Sequence, residues 1–164
     1  MSRRSFLKKG TAMAAGLAVA PGIIIAGETP KDNKKKKKVA PIDKLNILGV
    51  GIGGRGAADL REMETENFIG LCDVDWKYAD PVFKKYPQAK KYNDYRKMFD
   101  EMLDQADAVM IATADHTHAV IAAQAIAAGK HVYCEKPLTL TVYEARLLTK
   151  LAAKYKVATQ MGNQ

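Results

Sequence analysis

The chain has 164 residues, a hydrophobic content of 48% and a formal net charge of +8, values ordinary for one globular domain apart from the charge. The charge is concentrated: residues 1–41 hold ten Lys or Arg and two acidic residues, whereas residues 42–164 hold sixteen of each. We therefore expect a neutral folded domain and no nucleic-acid partner, because the main electrostatic argument for one is lost.

The first 27 residues have the pattern of a targeting segment. Ser2-Arg3-Arg4-Ser5-Phe6-Leu7-Lys8 precedes an apolar stretch over residues 11–26, and this order resembles a twin-arginine export signal. Sixteen residues at about 1.5 Å each span roughly 24 Å, less than a hydrocarbon core of about 30 Å. We predict a signal peptide, export by the twin-arginine machinery to the periplasm, and no stable membrane span. Anchoring by an uncleaved signal stays open, because Ile24 is not the small residue usually found before a cleavage site.

Residues 28–41 follow as a predicted solvated linker, since five consecutive lysines at 34–38 cannot bury apolar surface. Positive charge directly after an apolar segment also opposes translocation by the general secretion route. The linker therefore suits the export of a protein that folds, and loads its cofactor, before it leaves the cytoplasm.

The segment from Leu45 to Gly56 reads Leu-Asn-Ile-Leu-Gly-Val-Gly-Ile-Gly-Gly-Arg-Gly. An apolar run, clustered glycines and a helix-forming stretch predict a strand, a tight turn and a helix start. Two frames match the G-x-G-x-x-G spacing of a phosphate-binding turn: one uses glycines 51, 53 and 56, the other 49, 51 and 54. We prefer the first, because it starts the helix where free amides can hold a phosphate. Its candidate cofactor-binding residues are Gly51, Ile52, Gly53, Gly54, Arg55 and Gly56.

An acidic residue stands where a dinucleotide site needs one. Residues 68–72 form a short apolar strand, and Asp73 follows it about 20 positions after the glycine turn. A carboxylate there accepts hydrogen bonds from the hydroxyls of the adenosine ribose. The alternative is that Asp73 merely caps the next helix, a role that Asp75 fits better.

Strand and helix alternate through the rest of the chain, which predicts a parallel sheet with right-handed crossovers. The domain over residues 42–164 is therefore expected to be a doubly wound α/β fold of the Rossmann type. Cys72 and Cys134 would lie in strands separated by two others, which predicts buried thiols and no disulfide. Predicted strands cover 45–50, 68–72, 91–92, 108–112, 131–134 and 157–161, and predicted helices cover 54–64, 76–85, 95–103, 117–128 and 141–155.

Ligands bind outside the carboxyl ends of the strands in such a sheet, so the residues that follow the fourth, fifth and sixth strands are candidates. His116 and His118 alternate as metal ligands would, but no third committed ligand accompanies them, and we predict no metal. Hydrogen bonds to the cofactor are the favoured role; helix capping by Thr117 is the alternative. The candidates at these strand ends are Thr113, His116, His118, Glu135, Lys136 and Asn163.

Several motifs in this order make the chain similar to the Gfo/Idh/MocA oxidoreductases over residues 45–164. One departure is Ala114, where the family usually has proline. The resemblance implies NAD as cofactor, a sugar or cyclitol substrate, and a catalytic lysine at position 136 beside nicotinamide and substrate. The motifs are the glycine turn, Cys72-Asp73-Val74-Asp75, Asp94-Tyr95-Arg96, Ile111-Ala112-Thr113, Cys134-Glu135-Lys136-Pro137-Leu138 and Gln160-Met161-Gly162-Asn163-Gln164.

The resemblance also implies a second α/β domain, which holds most of the substrate pocket and would begin where this chain stops. We expect the 164 residues to bind NAD, with NADP disfavoured by Asp73, and to turn nothing over, and the complete protein to be a homo-oligomer. Two alternatives stay open. One is an NAD-dependent glycosidase of the related type, although those proteins usually lack the lysine of the Glu-Lys-Pro triplet; the other is a truncated, non-catalytic dinucleotide-binding protein.

Overall fold

The structure, a computed structural model, describes residues 44–163. The predicted signal peptide, the linker and Gln164 lie outside the described residues. Within them, strands and helices alternate as the sequence pattern predicts. In chain order they are β1 (Asn46–Val50), α1 (Arg55–Glu62), β2 (Asn67–Cys72), α2 (Trp76–Lys85), β3 (Lys90–Tyr92), α3 (Tyr95–Met102), a 3₁₀ turn (Leu103–Gln105), β4 (Ala108–Ile111), α4 (Asp115–Ala127), β5 (His131–Cys134), α5 (Val142–Tyr155) and β6 (Thr159–Met161).

The six strands form one parallel sheet in the order β3-β2-β1-β4-β5-β6. The chain first adds strands on one side of β1 and then crosses to β4 on its other side. This reversal between β1 and β4 is the switch point of a doubly wound sheet, and it opens a crevice at the carboxyl ends of these two strands. The predicted fold class is confirmed.

Both faces of the sheet are covered by helices. Successive strand residues point to opposite faces, so each strand contributes to two separate core clusters. Leu48 and Val50 of β1 pack in one core cluster with residues of α3, α4 and α5. Ile47 packs in the other cluster with Leu60 of α1 and with residues of α2. Burial on both sides explains why the strands are almost continuously apolar rather than alternating.

Helix boundaries follow local capping chemistry. Asp75 caps α2, accepting the Tyr78 N–H at 2.9 Å, and Thr141 with Glu144 forms a complete capping box at α5. The α4 helix begins at Asp115, two residues before its predicted start, although Ala114 offers no capping side chain. The Thr117 hydroxyl lies 2.8 Å from the Ala114 carbonyl oxygen and donates to it, which ties down the first turn.

Cys72 and Cys134 are both free and buried, as predicted. Their strands, β2 and β5, are separated by β1 and β4. Burial raises the pKa of each thiol to about 12. Both therefore remain uncharged at neutral pH and behave as small apolar core residues.

Candidate functional site

The glycine turn brings β1, α1 and β4 so close together that two of its positions exclude any side chain. Gly51 has φ +76°, and a Cβ atom there would lie 2.6 Å from the Ala112 carbonyl oxygen. A Cβ atom on Gly56 would overlap the carbonyl oxygen of Gly51. The third glycine of the preferred frame therefore lets the helix pack directly on the turn, as that frame predicts. Gly54, with φ +51°, is the residue before α1.

Asp73 is joined to the glycine turn through its side chain. Its Oδ2 accepts the Gly53 N–H at 2.9 Å, and its Oδ1 accepts the Asp75 N–H at 3.0 Å. Asp75, and not Asp73, caps the following helix, so the capping alternative for Asp73 is wrong. Each carboxylate oxygen has a second lone pair, which leaves Asp73 able to accept from ribose hydroxyls at the same time. That role stays a prediction.

A cavity of about 800 Å³ opens at the switch point between the ends of β1, β2, β3 and β4. This volume lies within the range of about 300–1,000 Å³ that is typical of small-molecule sites. The cavity gathers five of the predicted cofactor-binding residues, namely Gly51, Gly53, Asp73, Thr113 and His116.

The cavity wall also contains residues that the sequence analysis did not name as candidate ligands. Asn93, Asp94, Tyr95 and Arg96, which follow β3, line it. The rule that ligands bind at strand ends applies to β3 as well, but this strand is only three residues long and its pattern is weak. The sequence analysis names Asp94 only as part of a family motif, and the structure shows it to be the cap of α3. It accepts the Arg96 N–H at 2.9 Å, and it also holds the Arg96 guanidinium through two hydrogen bonds.

Tyr78 forms an aromatic wall beside the glycine turn. It projects from the first turn of α2, is 63% exposed and lines the cavity. A Cβ atom on Gly53 would overlap its ring, and one on Gly54 would lie 2.7 Å from its hydroxyl oxygen. The turn therefore needs glycine at these positions partly because Tyr78 lies against it, a reason that sequence spacing does not reveal.

Ile52 and His118, both predicted ligands, are buried away from the cavity. Ile52 is fully buried in the core, so only its backbone is available. His118 is 1% exposed; its Nδ1 lies 2.7 Å from the Pro137 carbonyl oxygen and its Nε2 lies 3.0 Å from the Thr113 carbonyl oxygen. The prediction of a direct cofactor contact by the His118 ring is wrong, because both ring nitrogens face backbone carbonyls. The ring instead joins the loops after β4 and β5.

Lys136 and Asn163 lie further along the same edge of the sheet, after β5 and β6, and both are exposed. Neither lines the 800 Å³ cavity. The Lys136 backbone N–H donates to Glu135 Oε2 at 3.3 Å, and the Gly162 N–H donates to the Cys134 carbonyl oxygen at 2.8 Å. The predicted roles of Lys136 and Asn163 at the nicotinamide end of a cofactor stay predictions.

Arg55 and Glu135 contact each other through a buried ionic cluster. The Arg55 Nε lies 3.4 Å from Glu135 Oε1, and its Nη2 lies 3.0 Å from Asp59 Oδ1. The Tyr133 hydroxyl donates to Glu135 Oε1 at 3.0 Å. A Cβ atom on Gly162 would overlap the Glu135 carboxylate. The helix of the glycine turn is therefore tied to the strand end that carries Lys136.

Within residues 44–163, no group of three or more His, Cys, Asp or Glu side chains is placed to hold a metal ion. In the same range, no helix combines the length and the apolar character that a membrane crossing needs.

A doubly wound sheet with a glycine turn and an acidic residue at its switch point defines the class of dinucleotide-binding domains. The family model described as "Oxidoreductase family, NAD-binding Rossmann fold" (GFO_IDH_MocA) matches residues 44–163. The chain therefore belongs to the Gfo/Idh/MocA oxidoreductase family, and its cofactor is NAD.

Relatives of known activity include both dehydrogenases and glycosidases. The chain is 31% identical over 110 residues to inositol 2-dehydrogenase of Salmonella typhimurium (strain LT2), covering 64% of this chain and 32% of the relative. It is 31% identical over 159 residues to an α-N-acetylgalactosaminidase of Shewanella oneidensis, covering 87% of this chain and 35% of the relative. The structure of GenD2 from gentamicin A biosynthesis, in complex with NAD, superposes with a TM-score of 0.64 at 29% identity, covering 86% of this chain and 37% of GenD2. The chain thus spans about a third of the length of these proteins.

Proposed function

We propose that the complete protein is an NAD-dependent dehydrogenase that oxidises a hydroxyl, or reduces the corresponding carbonyl, of a sugar or cyclitol. This chain contains its nucleotide-binding domain. The observation that carries the proposal is the arrangement along one edge of the sheet. The glycine turn and Asp73 border a cavity at the switch point, and Glu135 and Lys136 come directly after strand β5, which is next to β4. The similarity to inositol 2-dehydrogenase supports the substrate class.

The residues at this edge fit a dinucleotide. Helix α1 begins in the glycine turn, directly after Gly54, and a pyrophosphate is favoured at that end by the helix dipole. Asp73 is positioned to accept from the adenosine ribose, and Thr113 and His116 border the same cavity. NAD supplies the hydride acceptor or donor, and the chain's own residues bind and orient the reactants.

Lys136 is the residue to which we assign proton transfer or polarisation at the substrate oxygen. It is exposed at the end of β5, and its backbone is held by the buried Glu135 carboxylate. A positioned ammonium group there can donate to a substrate carbonyl or, once deprotonated, accept from a hydroxyl.

The test uses the complete enzyme and a panel of aldoses, polyols and aryl glycosides, with reduced cofactor followed by absorbance. Lys136→Met should lower turnover by about 10²-fold or more and change NAD affinity by no more than a few-fold. Lys84→Met is the matched control, because Lys84 is exposed on α2 and pairs with Asp80 on its own helix. An equal loss of cofactor affinity and turnover in Lys136→Met would show that Lys136 binds the cofactor rather than acting on substrate.

A second candidate is an NAD-dependent glycosidase that oxidises its substrate transiently and eliminates the aglycone. The observation that favours it is the long match to the Shewanella α-N-acetylgalactosaminidase. The family model matches residues 44–163 only, so a match over 87% of the chain extends into the amino-terminal segment before residue 44. Release of the aglycone without net accumulation of reduced cofactor would favour this candidate. Oxidation of a free sugar or polyol with stoichiometric reduced cofactor would exclude it.

We also propose export through the twin-arginine route, on the pattern of Arg3-Arg4 followed by Phe6-Leu7 and Lys8. Replacing both arginines by lysine should keep the protein in the cytoplasm, as measured by cell fractionation and immunoblotting. The matched control replaces Lys34 and Lys35 of the linker by arginine, which keeps the positive charge and leaves the motif at residues 2–8 intact. Unchanged export of the double lysine variant would contradict the proposal.

A further inference from the structure

The buried ionic cluster that joins α1 to the end of β5 contains one cation and two acidic groups. Arg55 contacts both carboxyls, Asp59 through Nη2 and Glu135 through Nε. The Arg55 side chain is 44% exposed, whereas those of Asp59 and Glu135 are only 2% and 5% exposed. If both acids were ionised, two nearly buried carboxylates would be balanced by one half-exposed cation, which is unfavourable.

Hydrogen bonds in this cluster are divided unequally between the two carboxyls. Glu135 accepts from the Tyr133 hydroxyl, from the Lys136 N–H and from Arg55. Asp59 Oδ1 is paired with Arg55, but its Oδ2 is buried and has no hydrogen-bond partner among residues 44–163. A buried acceptor without a donor is costly, whereas a protonated carboxyl has an O–H to give. The unpaired oxygen therefore indicates a group that is more stable with a proton.

We propose that Asp59 holds a proton when NAD is bound, that its Oδ2–H donates to the Glu135 carboxylate, and that Asp59 is thereby a positioning residue that couples NAD binding to proton uptake. The inference rests on NAD occupying the site described above. It assigns to Asp59 a role that neither the motif spacing nor the cavity lining indicates.

The charged and titratable groups that face Asp59 support this assignment. Burial and the negative charge of Glu135 both raise the pKa of Asp59, and Arg55 opposes them without cancelling them. For Glu135, burial acts to raise the pKa, but the bonds from Tyr133 and the Lys136 N–H and the charge of Arg55 outweigh it and lower the pKa. The pKa values of the two carboxyls therefore shift in opposite directions, as in other carboxyl pairs that share one proton.

The cofactor itself biases the cluster in the same direction. The pyrophosphate is expected at the start of α1, next to Arg55, and Asp59 lies one helical turn further along. With Asp59 neutral the cluster carries no net charge, whereas with Asp59 ionised it carries a negative charge that repels the cofactor. NAD binding should therefore raise the proton occupancy of Asp59. Above the pKa of Asp59 in the free protein, affinity for NAD should fall with pH, by up to about tenfold per pH unit for one linked proton.

The experiment measures the dissociation constant of NAD for the whole 164-residue chain from about pH 5 to pH 9. Asp59→Asn is the informative variant, because asparagine has the shape of the neutral acid and also offers a donor to Glu135. Asp100→Asn is the matched control, an exposed carboxyl on α3. We expect the wild type and the control to lose affinity as pH rises, and Asp59→Asn to keep the low-pH affinity with a flatter profile. An unchanged slope in Asp59→Asn would overturn the proposal.

A second measurement uses the wild-type protein, so it does not depend on whether a variant folds. The infrared spectrum of the wild-type NAD complex near neutral pH should contain the carbonyl band of a neutral carboxylic acid, because exposed carboxyls are ionised there. A complex that binds NAD but lacks this band would overturn the proton on Asp59 and leave the proposed function intact. An absence of NAD binding at every pH would overturn both.

Discussion

At Gly56 the requirement for glycine is steric, and at Gly129 it is conformational. Gly56 lies in α1 with ordinary helical geometry, but a Cβ atom there would overlap the Gly51 carbonyl oxygen. Gly129 has φ +75° after α4, and nothing lies within 4 Å of the position of its Cβ. Gly56 is therefore required because there is no space for a side chain, and Gly129 is favoured because of its backbone conformation.

Gly56→Ala should destabilise the domain by more than about 2 kcal/mol and abolish NAD binding, since backbone must shift to admit the methyl group. In an unconstrained helix the same change would stabilise by roughly 1 kcal/mol, so the sign is diagnostic. Gly129→Ala is the control and should cost about 1–2 kcal/mol with NAD affinity intact. Urea unfolding and NAD titration measure both; a stable Gly56→Ala that binds NAD would contradict the packing argument.

Asp73 is expected to select NAD over NADP. A like charge at about 4 Å costs on the order of 4 kcal/mol at an effective dielectric of 20, before screening, and Asp73 is partly exposed, so a smaller measured effect is expected. Asp73→Ser should shift the ratio of NAD to NADP affinity by about tenfold or more towards NADP.

The affinity for NAD itself should also fall in Asp73→Ser, because Asp73 holds the Gly53 N–H. The ratio of the two affinities is therefore the measurement that counts. Quenching of Trp76 fluorescence follows both cofactors. Asp75→Ser, which alters only the cap of α2, should leave the ratio unchanged. An equal change of the NAD to NADP affinity ratio in the two variants would contradict the role of Asp73 in cofactor selection.

At the scale of elements, the sequence predicts helices best where a capping side chain marks the start. Helix α2 matches its predicted bounds despite Pro81 inside it, since Asp75 caps it and Ala79, Val82 and Phe83 bury its inner face. Helix α4 starts earlier than predicted, because its first turn is held by the Thr117 hydroxyl rather than by a residue before the helix. A capping residue precedes the helix and can be recognised in the sequence. A hydrogen bond from a side chain inside the first turn gives no such signal.

Thr141→Ala should lower the free energy of unfolding by about 1 kcal/mol, because it removes half of the capping box. The Thr141 hydroxyl accepts the Glu144 N–H at 3.2 Å, and Glu144 Oε2 accepts the Thr141 N–H at 2.8 Å. Thr149→Ala is the control on the same helix, where the hydroxyl only donates back to the Ala145 carbonyl oxygen. Urea denaturation of both variants decides the matter, and a loss from Thr149→Ala at least as large would contradict the capping argument.

At the scale of the whole molecule, the candidate residues are spread along one edge of the sheet. The cavity lies at the ends of β1 to β4, whereas Lys136 lies outside it, after the end of β5. Large apolar side chains are exposed on the segment that leads into α5 and on its first turn, and Tyr143 is 75% exposed. A hydride step needs reacting atoms held roughly 3–3.5 Å apart with water excluded, and we do not expect the described residues to provide this by themselves.

The 164-residue chain should therefore bind NAD without sustained turnover on any sugar or polyol, and it should self-associate weakly through its exposed apolar side chains. Sedimentation velocity measured over a range of concentrations tests the second point. Val142→Lys with Tyr143→Lys should reduce the association, while Leu45→Lys, at an exposed apolar residue outside this segment and outside the cavity, serves as the control. Sustained reduction of NAD by this chain would show that one domain is sufficient.

The sequence by itself determined what depends on local pattern. Strand and helix periodicity predicted the alternation of elements, glycine spacing predicted the turn, and the position of Asp73 after an apolar strand predicted the switch-point site. These signals are local because each rests on a few neighbouring residues and on the geometry of one turn or one strand end.

Only the tertiary structure decided which side chains meet across elements. His118 was a candidate ligand by its place after β4, yet it lies between two carbonyl oxygens from different loops. Tyr78 and Asp59 carried no motif, but the folded chain places one against the glycine turn and the other beside Glu135, far away in sequence. Burial and pairing depend on contacts between distant segments, and no spacing within one segment specifies them.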